Sequence, residues 1–206
     1  VPDSSDPADA VSKLGDLWVL GDHRLVCGDS TNGSVIERLM DGREADLLLT
    51  DPPYGVDYAS KNEALNAADK GNCIQTPIRQ EFLHKALGNA ATSLSAGCPA
   101  YVFLSDASRM QFEAALRSVD LVPRQTLIWV KNVFVLGRQD YQAKHEPVLY
   151  GWKSGAAHRW YGGFDKSTVI ECPRPAKSEL HPTTKPVQLL GYLMMNSSRH
   201  GAALLD

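Results

Sequence analysis

The sequence predicts an α/β domain built on a mainly parallel β-sheet with helices on both faces. Short apolar runs alternate with segments of helical periodicity along most of the 206 residues, a pattern typical of such folds. The run Leu47, Leu48 and Leu49 is continuous rather than alternating, which indicates a strand buried on both faces. A hydrophobic content of 43% and a charged content of 22% are ordinary for a globular protein, so this chain can bury a sizeable core.

The N-terminal part predicts a flexible end followed by a hairpin and a helix. Residues 1–13 are polar and predict a linker or frayed terminus, and residues 14–206 are expected to form the folded domain. Apolar runs on both sides of a Gly-Asp pair predict a β-hairpin over 17–27. Ser34 and Glu37 then have the spacing of a capping box, which predicts a helix over 34–40. Asp29, at the end of the hairpin, lies either close to a ligand or at the cap of that helix.

The apolar strand ending at Thr50 runs directly into Asp51, Pro52, Pro53 and Tyr54. Ligands of α/β sheets bind just beyond the carboxyl ends of strands, so this tetrad stands where chemistry is usually performed. Asp51 and the Pro52 carbonyl offer two acceptors to the N–H groups of a planar amine, and the prolines keep the loop rigid. Tyr54 offers a ring on which a base can stack. The alternative is a Pro-Pro turn that only ends the strand.

The remaining elements continue the alternation. The polar residues 56–79 predict a mobile loop beside the tetrad. Helix patterns follow at 81–95 and after Asp106, with a buried strand between them. Strands at 125–131 and 146–152 are joined without helical periodicity, so they could form an antiparallel pair at the sheet edge. A last helix is expected after Pro186, and the final residues predict the start of another buried strand.

Charge and cysteine content restrict the kinds of partner and site that we expect for this chain. The net charge is −3 and the pI is about 6.1, yet residues 131–199 carry ten Lys and Arg against five Asp and Glu. A basic face of this kind can bind phosphates, although a solvated charged surface is the alternative. The four cysteines lie far apart without a C-x-x-C pair, which predicts reduced thiols and no metal site. No apolar run approaches a membrane span and the N-terminus is unlike a signal peptide, so we expect no membrane partner and a cytoplasmic location.

The tetrad Asp51, Pro52, Pro53 and Tyr54 resembles the catalytic motif of the S-adenosylmethionine-dependent DNA amino-methyltransferases. Three later segments, 126–132, 145–153 and 181–186, are similar to further blocks of that family in the order of its β subgroup. The resemblance covers the chain from about Leu17 onward. It implies a Rossmann-like methyltransferase sheet and direct methyl transfer from S-adenosylmethionine to DNA, without a metal. Aspartate at the first position favours N6 of adenine, with N4 of cytosine as the alternative.

The resemblance also implies roles for individual residues. The tetrad Asp51, Pro52, Pro53 and Tyr54 would be catalytic. Residues expected near the cofactor are Asp29, Asp51, Thr183, Thr184, Lys185 and Asp206. Segment 154–180 interleaves aromatic and basic residues and corresponds to a target-recognition region, although an ordinary loop held by its aromatics is the alternative. The expected DNA-binding residues are Arg138, Lys144, Arg159, Trp160, Tyr161, Lys166, Arg174 and Lys177.

The sequence departs from the family at its end. Relatives continue from the last strand into a glycine-rich cofactor turn, whereas here that strand stops at Asp206. We therefore expect a truncated sheet and weak binding of S-adenosylmethionine by this chain. The other classes left open are a methyltransferase of RNA or of protein amides, and a DNA-binding module without turnover. The oligomeric state is also open, with a homodimer as one option.

Overall fold

The computed structural model describes residues 11–54, 80–136, 140–174 and 184–206. Within it the chain forms two units, one made of residues 1–43 and 53–93 and the other of residues 44–52 and 94–206. The expected N-terminal linker lies mostly outside the described residues, and the expected mobile loop lies wholly outside them.

The first unit contains the predicted hairpin and two helices. Strands β1 (Leu17–Leu20) and β2 (His23–Val26) pair antiparallel across a turn in which Gly21 has a φ of 64°, a left-handed conformation that favours glycine. Helix α1 (Gly33–Met40) and helix α2 (Gln80–Thr92) also belong to the described part of this unit. The hairpin and both helices are therefore confirmed.

The N-cap of α1 differs from the prediction. Asn32, rather than Ser34, occupies the cap position, and its side-chain oxygen accepts hydrogen bonds from the backbone N–H and the hydroxyl of Ser34. Asparagine is among the preferred N-cap residues, so it competes well with a serine two positions later. The N-cap consequently lies two residues earlier than the capping-box spacing indicates.

The second unit is built on a six-stranded sheet in the order β7-β5-β6-β4-β3-β8. Five strands run in one direction, and only β6 runs against both of its neighbours. The predicted mixed α/β class with a mainly parallel sheet is therefore confirmed. The strands are β3 (Leu47–Thr50), β4 (Pro99–Phe103), β5 (Leu121–Val135), β6 (Ala143–Lys153), β7 (Val169–Glu171) and β8 (Leu204–Leu205).

The antiparallel pair β5-β6 was predicted, but its place at the edge of the sheet is wrong. The short strand β7 pairs in parallel with β5 and forms that edge instead. At three residues β7 is too short to show a periodicity, so the sequence pattern did not predict it. The strand expected at the end of the sequence is confirmed, because β8 pairs in parallel with β3, but of its two residues Leu205 is buried and Leu204 is exposed.

The described part of the second unit also contains helix α3 (Arg109–Ser118), which follows a 3₁₀ turn, and helix α4 (Val187–Ser197). Burial explains these elements, because the three leucines of β3 and all residues of β4 are buried, and α3 and α4 bury apolar side chains of their own. The largest fully buried side chains of this core are Trp129, Tyr101, Phe103, Phe112, Leu47, Leu48, Leu94, Leu104, Leu121, Leu189 and Leu193.

One buried polar contact fixes α4 to the sheet. The Tyr101 hydroxyl and the Ser197 hydroxyl lie 2.6 Å apart, and both side chains are almost fully buried. Burial raises the pKa of the Tyr101 hydroxyl, while the hydrogen bond with Ser197 acts in the opposite direction. A satisfied pair of this kind avoids the cost of a buried hydroxyl without a partner, and it fixes the C-terminal end of α4 against β4.

Candidate active site at the carboxyl edge of the sheet

Asp51 lies where the sequence predicts a catalytic residue, at the carboxyl end of a strand. It directly follows β3, which lies between the parallel strands β4 and β8, so the carboxylate stands at the carboxyl edge of the parallel part of the sheet. The side chain remains partly exposed, and Pro52 beside it is partly buried. A carboxylate in this setting is accessible to a substrate while its backbone is held by a buried strand.

Lys185 forms an ion pair with Asp51. Its Nζ donates to Asp51 Oδ2 at 2.6 Å and lies 3.3 Å from Glu146 Oε2. The ammonium also stands 5.1 Å from the centre of the Phe103 ring, a cation–π geometry. The structure therefore places Lys185 between two protein carboxylates, and its contact with a cofactor carboxylate stays a prediction.

Two charged residues of this site were not assigned a role from the sequence. Glu146 of β6 pairs with Lys131 of β5 at 2.9 Å, and the Lys131 side chain is almost fully buried. Lys131 lies on the same strand face as Trp129, the residue that pairs directly with Glu146, so Lys131 and Glu146 are diagonal cross-strand neighbours. The available signal was a charged residue next to an apolar run in each strand, with Lys131 directly after Val130 and Glu146 directly before Pro147.

Asp206 lies close enough to Asp51 for their charges to interact. Burial, and then the charge of Asp51, raise the pKa of Asp206, whereas a hydrogen bond with Thr50 lowers it. The residue as a whole nevertheless remains exposed. Two carboxylates that share one edge in this way favour a proton or another cation beside them.

We expect Asp206→Asn to stabilise the chain at neutral pH but not in acid. A carboxyl group with a raised pKa contributes stability below its unfolded-state pKa of about 4, and this contribution is lost as the pH rises through the folded-state pKa. The asparagine is neutral throughout, so its advantage over the wild type should grow with pH. Urea midpoints of both chains at several pH values would measure this, and a difference that is constant or shrinks with rising pH would contradict it.

Asp29, Pro53 and Tyr54 belong to the first unit. Asp29 Oδ1 accepts from both the backbone N–H and the hydroxyl of Thr31, at 2.9 and 2.8 Å, and these two bonds lower the pKa of Asp29. This is a local turn before α1, whose N-cap is Asn32, so the alternative that Asp29 caps this helix is wrong. Its contact with a cofactor stays a prediction, as do the roles of Pro53 and Tyr54.

The aromatic and basic segment after β6 is partly used inside the second unit. Arg159 donates to the Asp46 carbonyl and to the Ser95 hydroxyl, at 3.2 and 2.9 Å. Trp160 Nε1 donates to the Gly163 carbonyl at 2.6 Å, and its ring packs near that of Tyr150. These contacts give Arg159 and Trp160 a structural role, whereas their contact with DNA stays a prediction.

Other expected DNA-binding residues lie nearer the surface. Lys144 is exposed at the beginning of β6, Lys166 pairs with Asp165, and the Tyr161 ring stacks under the Arg199 guanidinium. The backbone N–H of Arg174 donates to the Asn132 side chain. Phe164, which was not singled out as a contact residue, is fully exposed in the same segment. Arg138, Lys177 and Thr183 lie outside the described residues, and Thr184 is exposed beside Lys185.

The described residues show neither a metal-binding cluster nor a membrane-spanning helix. Among the described residues, no three or more His, Cys, Asp or Glu side chains are grouped so that they could hold a metal ion. None of the helices in the described ranges is both long and apolar enough to span a bilayer.

The second unit is a Rossmann-like α/β sheet, and comparisons with known proteins agree with that class. The sequence matches no protein-family model and no curated protein. The fold, however, is similar to the crystal structure of the M1.HpyAVI–SAM complex, with a TM-score of 0.61 and 18% identity over 86% of this chain and 78% of that one.

Two further structures are similar. M1.HpyAVI in a second crystal structure gives a TM-score of 0.57 with 16% identity over 86% of this chain and 77% of that one. TTHA0409 of Thermus thermophilus, assigned as a DNA modification methylase and complexed with S-adenosyl-L-methionine, gives a TM-score of 0.56 with 14% identity over 83% of this chain and 75% of that one. At these identities the likeness shows a shared fold.

Proposed function

We propose that this chain is a catalytic domain of an S-adenosylmethionine-dependent DNA methyltransferase that modifies the exocyclic N6 of adenine. The observation that carries the proposal is the position of Asp51 and Pro52, which begin an Asp-Pro-Pro-Tyr tetrad at the carboxyl end of a buried parallel strand. The fold shared with a DNA modification methylase and with a protein crystallised with SAM supports it. The order of the later sequence blocks, 126–132, 145–153 and 181–186, supports assignment to the β subgroup.

The chemistry requires the amine to become a better nucleophile. The lone pair of an exocyclic amine is delocalised into the ring of the base, so the nitrogen is nearly planar and unreactive. If the Asp51 carboxylate and the Pro52 carbonyl each accept one N–H, they favour a tetrahedral nitrogen and localise that pair. Such preorganised acceptors act on charge that develops only in the transition state.

Tyr54 would complete the grip on the base. A base in a duplex is paired and shielded, so it must leave the stack before its amine can reach Asp51. Stacking of a free base on an aromatic ring contributes about 1–3 kcal/mol, which offsets part of the cost of unstacking. The tetrad therefore combines one group that holds the ring with two that hold its amine.

The charges around Asp51 fit S-adenosylmethionine. Burial and, after it, the charge of Asp51 raise the pKa of Asp206, so a cationic group beside the two carboxylates would be stabilised. Lys185 and the exposed Thr184 would hold the carboxylate of the same molecule, and Thr183 and Asp29 are further proposed contacts. When bound, the cofactor supplies a methyl group on a positively charged sulfur.

DNA contacts would come from the basic second half of the sequence. We assign phosphate contacts to Lys144, Lys166 and Arg174, which are at least partly exposed. The fully exposed Phe164 and the surface ring of Tyr161 are available for stacking on bases. Arg159 and Trp160 would act mainly by fixing the shape of this segment, and Arg138 and Lys177 remain proposed contacts.

The test is methyl transfer to defined polymers. The chain is incubated with S-adenosylmethionine carrying a deuterated methyl group and with unmodified duplex DNA, and the nucleosides are analysed by mass spectrometry. We expect labelled N6-methyladenine. Labelled N4-methylcytosine would replace the adenine assignment, and label found only in parallel RNA or protein reactions would replace DNA as the substrate. Absence of label in every polymer would contradict the proposed function.

A further inference from the structure

Four side chains of alternating charge form a row that begins at Asp51, the first residue of the tetrad. Asp51 is in contact with Lys185 at 2.6 Å, Lys185 lies 3.3 Å from Glu146, and Glu146 lies 2.9 Å from Lys131. The row joins residues from β5, from β6, from the end of β3 and from the segment before α4. It therefore connects four separate parts of the chain at one point.

Asp51 is the most exposed member of this row, and the two lysines are the most buried. The side chain of Asp51 is 37% exposed, that of Glu146 is 24% exposed, and those of Lys185 and Lys131 are only 10% and 5% exposed. Removing two ammonium groups from water costs several kcal/mol each unless they are well paired, and buried ion pairs seldom add net stability. A role in positioning Asp51 therefore explains this row of charges better than a gain in stability does.

The two ends of Glu146 make different contacts. Oε1 is bound to Lys131, whereas Oε2 is buried and, within the described part of the chain, accepts no hydrogen bond. Oε2 nevertheless lies 3.3 Å from the Lys185 ammonium, so this attraction acts through charge rather than through hydrogen-bond geometry. The shorter and directed contact of Lys185 is the one with Asp51.

We propose that Glu146 is a positioning residue for Asp51, acting by holding the Lys185 ammonium against that carboxylate. Lys131 anchors one oxygen of Glu146, Glu146 attracts Lys185, and Lys185 fixes which way Asp51 presents its oxygens. A carboxylate held in this way can direct its remaining acceptor capacity toward an amine without first reorienting. The inference rests on the proposed function of Asp51, but the placement of Lys185 by Glu146 can be measured without substrate.

The kinetic test is Glu146→Gln, which keeps the shape of the side chain and removes its charge. We expect kcat for DNA methylation to fall by about 10- to 100-fold, with the KM for DNA within about threefold of the wild type. Glu146→Asp, which restores the charge, should recover part of kcat. Glu113→Gln is the matched control, because Glu113 pairs with Arg109 on the surface of α3, and its kcat should equal that of the wild type.

The second measurement needs neither DNA nor cofactor. In ¹⁵N-lysine-labelled chain, an ammonium held at 2.6 Å from a carboxylate should give a resolved, slowly exchanging NMR signal, which Lys185→Met would assign by its loss. We expect Glu146→Gln to abolish this signal and Glu113→Gln to preserve it. If Glu146→Gln unfolds the chain, the double variant with Lys131→Met removes both charges of that pair together and is used in its place.

The two measurements separate the positioning inference from the proposed function. A wild-type chain that methylates no polymer overturns the function, while the Lys185 signal still decides whether Glu146 holds Lys185. If Glu146→Gln leaves both kcat and the Lys185 signal as in the wild type, the positioning role is refuted. Equal losses in kcat and in DNA affinity, with the signal intact, would likewise refute it.

Discussion

Replacement of Asp51 by Ala is expected to lower kcat for methyl transfer by about 100- to 1,000-fold or more while leaving DNA affinity within about threefold of the wild type. The carboxylate would accept an amine hydrogen, so its loss removes an interaction that is strongest in the transition state. It makes no positive contribution to phosphate binding, because it is itself anionic. Initial rates with saturating substrates and a DNA titration in the same buffer would measure both effects.

The control for this variant is Asp22→Ala, which changes an aspartate in the exposed hairpin turn between β1 and β2. It should retain the wild-type rate. The fold should survive Asp51→Ala, because Lys185 keeps Glu146 as a partner and does not become an unpaired buried charge. A rate within about tenfold of the wild type, from a folded variant, would exclude Asp51 as the residue that holds the amine.

The second large effect is expected from Gly151→Ala in β6. A Cβ atom at this position would lie 2.8 Å from the Val122 carbonyl carbon and 2.9 Å from the Pro123 Cα, and it would collide with the Val122 carbonyl oxygen. These are backbone atoms of the adjacent strand β5, so they cannot rotate away as a side chain would. We expect the free energy of unfolding to fall by about 3 kcal/mol or more, measured by urea denaturation.

The matched control is Gly191→Ala in α4, where nothing lies within 4 Å of the added Cβ. Alanine has a higher helix propensity than glycine, so this same chemical change should stabilise the chain by about 0.5–1 kcal/mol. Opposite signs for the two substitutions are therefore expected. A Gly151→Ala variant with wild-type stability would mean that β5 and β6 do not approach as closely as the structure shows.

The elements that the sequence predicted well are those encoded by neighbouring residues. The continuous apolar run ending at Thr50 is sufficient to predict β3 and the place of Asp51, because burial on both faces and the following prolines are local signals. The same holds for the hairpin and for α4, which begins directly after Pro186. The N-cap of α1 was misplaced only because Asn32 and Ser34 are both good caps.

The charged pair behind the site depends on pairing between strands and could not be predicted from local pattern. Lys131 and Glu146 are each part of a sequence block, but only the register between β5 and β6 shows that their side chains meet. Arg159 is similar, since its partner Asp46 lies 113 positions earlier in the chain. Basic and aromatic composition alone cannot distinguish a side chain that faces a ligand from one that anchors its own segment.

The register between the antiparallel strands β5 and β6 decides whether Glu146 can reach its partners at the candidate site. Glu146 pairs across from Trp129, and side chains alternate between the two faces of a sheet, so a slip of one residue between β5 and β6 would turn Glu146 to the opposite face. Such a misaligned hairpin would retain most of its main-chain hydrogen bonds and still lack the acidic partner of both lysines. The rate of methyl transfer would then detect a misaligned strand pair more sensitively than any measurement of secondary-structure content.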